Sequence, residues 1–155
     1  MSLQQALFYA EGLRFSCTRC STCCRYESGY VFLTEHDTTR LLESLQIAHT
    51  GFVETYCRWV PDKWGTEQLT LKEKSNYDCI FWKNGCSVYE ARPLQCRTFP
   101  FWHSIMVSAK AWDAAARDCP GMGKGTLHLL EEIMAYLEQQ DAENLVTRIS
   151  NREVM

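Results

Sequence analysis

Cys17-Thr18-Arg19-Cys20-Ser21-Thr22-Cys23-Cys24 places four thiols within eight residues, in the spacing C-x-x-C-x-x-C-C. A lone buried cysteine packs as a small hydrophobe and needs no neighbour of its own kind. A run of this density is the arrangement of ligands around soft metal ions. At a helical pitch of about 100° per residue, Cys17, Cys20 and Cys24 fall within about 60° of one another, and Cys23 lies about 120° from Cys17. In a loop, each C-x-x-C step grips one metal as a knuckle. Either way the adjacent Cys23 and Cys24 diverge, which predicts that they serve different metal positions or that one bridges two.

Five further cysteines follow, at Cys57, Cys79, Cys86, Cys96 and Cys119. Setting Cys57 aside leaves eight, enough for two tetrahedral Cys₄ sites or for an iron–sulfur centre. Thiolate ligands suit zinc and iron–sulfur clusters alike, so the ligand type leaves the metal open. Cys57 sits in the apolar stretch F-V-E-T-Y-C-R-W and reads as a buried free thiol. His36, His49, His103 and His128 show no paired spacing and read as surface or capping residues.

The rest of the composition sets limits. The chain has 155 residues, 46% of them hydrophobic, which suits one domain with its own core. A net charge of −3 leaves no basic surplus for a phosphate backbone, so nucleic acid is not expected as a partner. No run approaches the ~18 apolar residues of a membrane span. Met1 to Phe15 lacks a basic segment followed by a long apolar one, so it does not read as a signal peptide. A cytoplasmic location follows as the expectation, and there thiols stay reduced. The odd cysteine count also speaks against a disulfide framework.

Several elements are predicted along the chain. Gln4 to Leu13 reads as a short helix and Ser28 to Leu33 as a strand. Thr34 opens a helix with Asp37 at its third position, an acidic capping box, and Leu41, Leu42 and Leu45 form its apolar face. A second helix after Thr50 carries Phe52, Tyr56 and Cys57. Gln68 to Lys72 and Cys79 to Trp82 read as strands, and Asn84-Gly85 as a hairpin turn that sets Cys79 across from Cys86. Tyr89 to Arg97 takes one or two helical turns, with Pro93 in a first turn, and Phe99-Pro100-Phe101-Trp102 ends it as an apolar plug. Ile105 to Val107 reads as a strand. The glycine-rich stretch Pro120 to Gly125 reads as a loop, ending at Thr126 as the N-cap of a helix with apolar residues Leu127, Leu130, Met134 and Leu137. A final turn is expected through Leu145, Val146 and Ile149. Arg92 and Arg97 are candidate cofactor-binding residues, either donating hydrogen bonds to metal-bound thiolates or pairing with surface carboxylates. Tyr89, Phe99, Phe101, Trp102 and Trp112 read as core.

Phe15 with the first cysteine block, Cys79, the block Cys86, Val88, Tyr89, Arg92, Pro93, Cys96, Arg97, Phe99, Pro100 and Phe101, and the closing Cys119-Pro120-Gly121 together resemble the CxxCxxCC family. This is the YkgJ-type group described by zinc or iron chelation. The resemblance implies metal binding through Cys17, Cys20, Cys23, Cys24, Cys79, Cys86, Cys96 and Cys119, and it leaves Cys57 outside. A similar cluster occurs in a flagellin lysine-methylating enzyme. The alternative it implies is an iron–sulfur-dependent enzyme of redox or protein lysine modification, so whether the chain is an enzyme stays open.

The expected fold class is α+β: a small single domain over 1–155, with short strands and several helices. It is organised around a cysteine-rich metal centre at 15–125 and followed by an amphipathic C-terminal helix over 126–150. Zinc or iron, an iron–sulfur cluster included, is the expected cofactor. Metal ions, and another protein in the case of a metal-dependent interaction module, are the expected partners, with no nucleic acid and no membrane. Removing the metal is expected to unfold most of the 15–125 region.

Overall fold

The computed structural model of the chain describes residues 7–19 and 29–149. In order these are strand β1 (Leu13–Phe15), helices α1 (Glu35–Leu45) and α2 (His49–Tyr56), strands β2 (Cys57–Pro61) and β3 (Thr66–Leu71), and short helices α3 (Leu94–Thr98) and α4 (His103–Met106). Helix α5 (Ala109–Ala116), strand β4 (Met122–His128), helix α6 (Leu130–Ala142) and strand β5 (Thr147–Ile149) complete them. This is a mixed α+β arrangement with one two-stranded and one three-stranded sheet, ordered β1-β4 and β2-β3-β5. The chain forms two compact units, one containing 7–19 and 98–142, the other 29–97 and 143–149. Among the described residues no helix is long and apolar enough to cross a membrane.

In the second unit α1 starts as its sequence predicts. Thr34 Oγ1 accepts from the Asp37 amide at 3.0 Å, and Asp37 Oδ2 accepts from the Thr34 amide at 3.0 Å. This reciprocal cap satisfies two amides that the helix start leaves without a partner. Leu41 faces inward, fully buried, to join Leu33, Phe52, Leu69, Leu71 and Phe81 in a core on which Leu42 and Leu45 pack. On α2, Phe52 and Tyr56 share a face, with ring centroids 6.0 Å apart. Cys57 is not the last residue of that helix. It begins β2, opposite Leu71 of β3, because the antiparallel ladder to β3 starts there.

Other local readings give way to long-range pairing. The described part of the expected N-terminal helix, 7–13, is turn and then strand, since Leu13 and Arg14 pair with His128 and Leu127. The stretch before α1 has no regular strand but single bridges, Phe32 to Thr70 and Thr34 to Leu145. Cys79–Trp82 is likewise no strand: Cys79 bridges Glu73, and Trp82 bridges Cys86. A tight turn with Asn84 at φ 55° folds Cys86 back onto Trp82, so the backbone bridge of Cys86 is to Trp82 and that of Cys79 is to Glu73.

Ile105 to Val107 lies at a short helix instead of a strand, and this turn delivers Ile105 and Met106 side by side into the core of the first unit. That core also holds Tyr9, Phe101, Trp112, Ile133 and Leu137, with Phe99 and Trp102 packed on it. Thr126 is not an N-cap, since it lies within β4, and the following helix starts at Leu130. It ends at Ala142. Its buried face is Ile133 and Leu137, while Met134 is exposed. The expected final helical turn is instead extended. Val146 donates to Leu33 and accepts from Leu69, and β5 pairs with β3.

Candidate metal centre

In the first unit the residue before the cysteine run is bonded to the chain two residues from Cys119. His128 holds the end of β1, with Nε2 2.9 Å from the Phe15 carbonyl and Nδ1 2.9 Å from Glu132 Oε1. Both ring nitrogens therefore have protein partners. One residue on, the Ser16 amide donates to the Gly121 carbonyl at 3.3 Å, and Ser16 Oγ accepts from the Thr126 amide at 2.9 Å. Arg14 adds a bond from its guanidinium to the Gly125 carbonyl at 2.9 Å.

The ladder is irregular here, because the partner of Arg14 is Leu127 but that of Phe15 is Met122. The intervening residues of the glycine-rich stretch bulge around the Ser16 side chain. They lie in a strand and do not form a helix start. Gly121 lies inside the turn from Cys119 to Met122, which the Met122 amide closes by donating to the Cys119 carbonyl at 3.2 Å. Cys17 is exposed, and its Sγ accepts the Arg19 amide at 3.4 Å, with Arg19 at φ 57°. An amide aimed back at the first sulfur is the kind of donor that supports a metal-bound thiolate.

In the second unit, Cys79, Cys86 and Cys96 are half-buried, and the first two pack against the core. Cys96 rides on α3. The Leu94 amide at the start of that helix donates to Asp37 Oδ1 at 2.9 Å, which ties it to the first turn of α1. Gln95 clasps the extended stretch before α1, accepting from the Phe32 amide at 3.1 Å and donating to the Tyr30 carbonyl at 2.7 Å. Glu73, bridged to Cys79, accepts from the Gly29 amide at 2.5 Å. The chain emerging from the N-terminal cysteine run is thereby fastened beside both Cys79 and Cys96.

Arg92 and Arg97 brace the same segment. Arg92 Nε donates to the Tyr89 carbonyl at 2.9 Å, and its guanidinium lies 3.8 Å from the centre of the Tyr89 ring. Arg97 Nε donates to the Arg92 carbonyl at 3.0 Å, and its terminal nitrogen stands 3.9 Å from Asp37. That carboxylate is fully buried, so the acid beside Arg97 among the described residues is an interior one.

Cys57 differs from the other cysteines. Burial pushes its thiol up from 9.0 to about 12, and the Lys72 ammonium opposes that only in part. A thiol so held stays protonated and is a poor ligand or nucleophile. His36 and His49 are exposed on α1 and α2, and His103 meets Asp141 at 2.9 Å.

Cys20, Cys23 and Cys24 lie outside the described residues, and with them the expectation that Cys23 and Cys24 part company. Among the described residues no disulfide joins two cysteines, and no three His, Cys, Asp or Glu side chains converge as a metal site. The structure adds Ser16, Asp37 and Gln95 as residues that position the cysteine-bearing segments. Asp37 left a trace in the sequence only as half of a capping box. Ser16 and Gln95 left none.

No solved structure matches the chain. A family model named CxxCxxCC, described as "Putative zinc- or iron-chelating domain", matches residues 16–120, well over half of the sequence. The chain belongs to the CxxCxxCC family.

Proposed function

We propose that this protein binds zinc or iron, an iron–sulfur cluster included, through Cys17, Cys20, Cys23, Cys24, Cys79, Cys86, Cys96 and Cys119. It acts in the cytoplasm in metal handling or as a metal-dependent interaction module. The observation that carries this reading is the contrast among the described cysteines. Cys17, Cys79, Cys86, Cys96 and Cys119 are all exposed or half-buried, whereas Cys57, outside the family pattern, is buried. Ligands to a metal delivered from solvent need that access, and a thiol kept only for packing does not.

The remaining chemistry fits thiolate ligation. The Arg19 amide supplies a donor at Cys17 Sγ, and Arg92 and Arg97 place cationic groups on the segment that carries Cys96. Four thiolates around zinc make a closed structural site, and an iron–sulfur cluster supplies an electron carrier. Anaerobic purification followed by metal and sulfide analysis and an absorption spectrum tests the reading. Broad visible absorbance with acid-labile sulfide identifies an iron–sulfur cluster, and a colourless protein with stoichiometric zinc identifies a zinc site. A pure, folded chain that retains neither metal and takes up neither on addition refutes it.

A further inference from the structure

We propose that Cys17 and Cys119 ligate the same metal ion or cluster. The proposal rests on the metal-binding reading above and adds to it a division of ligands. Cys17 follows Ser16, whose amide is bonded to the Gly121 carbonyl, and Gly121 lies inside the turn that Cys119 opens and Met122 closes. The two cysteines are thus one and two residues from a single interstrand bond. One chain step of ~3.8 Å from Ser16 to Cys17 and two from Gly121 to Cys119 bound how far apart their backbones can stand.

Two features hold that approach in place. A Cβ at Gly121 would run into the Ser16 carbonyl oxygen, and one at Gly125 would run into Ser16 Oγ. Both positions thus permit a closeness that any other residue would prevent. On the other side, the Arg19 amide is aimed at Cys17 Sγ, the donor pattern of a gripping C-x-x-C step. Sulfurs on one tetrahedral ion stand within about 4 Å of each other, given metal–sulfur bonds near ~2.3 Å. Packing of Cys119 against the core of the first unit fixes the second partner.

Trypsin makes the test direct. Cleavage after Arg14 and Arg19 isolates Cys17, and cleavage after Arg117 and Lys124 isolates Cys119. The full chain is loaded with zinc and alkylated, and each peptide is quantified. In Cys17→Ser, Cys119 is expected to alkylate about ten-fold faster than in the wild type, and in Cys119→Ser the same holds for Cys17. The double variant is expected to lose no more zinc than either single one. Continued protection of Cys119 in folded Cys17→Ser, or a double variant that loses the sum of the two single losses, overturns the proposal.

A measurement on the wild type alone covers variants that do not fold. Limiting zinc is added stepwise to the metal-free chain, and protection of Cys17 and Cys119 is expected to rise along one curve. Two separated curves overturn the shared site while leaving metal binding intact. A wild-type chain that takes up no zinc and no iron overturns the reading beneath it instead.

Discussion

At the scale of single residues, Asp37 is the side chain whose loss the second unit tolerates least. One buried carboxylate accepts from the Thr34 and Leu94 amides and faces Arg97. Asp37→Ala removes the acceptor for both amides, and unsatisfied buried donors cost about 1–3 kcal/mol each. We expect a loss of about 2–5 kcal/mol in urea unfolding, together with faster alkylation of Cys96 in the metal-free protein. A loss below about 1 kcal/mol would show that water replaces the carboxylate and that Asp37 does not hold α3. Cys57 makes a second prediction, in the alkaline range. Its folded pKa of about 12 stands above the unfolded 9.0. Above pH 9 the unfolded chain releases this proton while the folded chain keeps it, so the thiol's contribution is complete below 9 and fades as pH climbs towards 12. The slope is at most about 1.4 kcal/mol per pH unit. Comparison with Cys57→Ala isolates the share of this thiol. The stability advantage of the wild type over that variant is therefore expected to shrink between pH 9 and 11, with metal content unchanged throughout. A constant difference would argue against a buried neutral thiol, and a drop in metal content would make Cys57 a ligand.

Among the elements, the β1–β4 ribbon depends on contacts that sequence patterns do not carry. Ser16 and Thr126 are 110 residues apart, yet the Ser16 hydroxyl fills the bulge of β4. Gly121→Ala puts a methyl group into the Ser16 carbonyl, and the strand can relieve this only by giving up the Ser16–Gly121 bond. We expect a destabilisation of about 1–3 kcal/mol with reduced metal retention, and about 1 kcal/mol for Ser16→Ala. Thermal unfolding with metal analysis on the same samples checks both. A Gly121→Ala protein as stable and as metal-loaded as the wild type would remove the ribbon from the account of the site. The same long-range character explains which elements could be read in advance. The α1 cap lies within four residues, and the shared face of Phe52 and Tyr56 lies within one helical turn, so both were legible. From the sequence, most of β4 reads as a glycine-rich loop, and its last residues, like β5, read as helix, because their apolar spacing is compatible with one and only distant partners settle the choice. Ile105 to Val107 failed for the opposite reason: three residues are too few for a period to show. The cysteine spacing announced a metal site, but the residues that position it act through partners elsewhere in the chain.

For the molecule as a whole, the two cores change what metal removal should do. From the sequence, chelation was expected to unfold most of 15–125, since binding free energy at structural zinc sites is folding free energy, roughly 10 kcal/mol or more. Each unit, however, has a core made largely of residues that are not ligand candidates. Leu33, Leu41, Phe52, Leu69, Leu71 and Phe81 fill one, and Phe101, Ile105, Trp112, Ile133 and Leu137 fill the other. Burying one such side chain contributes about 1.5–3 kcal/mol, so each core has cohesion of its own beside any that metal adds. The segments that carry the ligand candidates are different. Glu73 to Val88 is a string of turns and single bridges, and Cys17 lies beyond the end of β1. Local opening begins where regular hydrogen bonding is sparse. We therefore expect chelation to leave α1, α2, α6 and the β2–β3 ladder protected in amide hydrogen exchange. Protection should fall at 73–88 and at 13–19 with its partner stretch 119–126. Cys20→Ala, which removes a ligand candidate, should lower metal content and reproduce this pattern in part. Exchange protection lost uniformly on chelation would make the metal the organiser of both cores. Unchanged protection at 73–88 would mean that those turns hold without it.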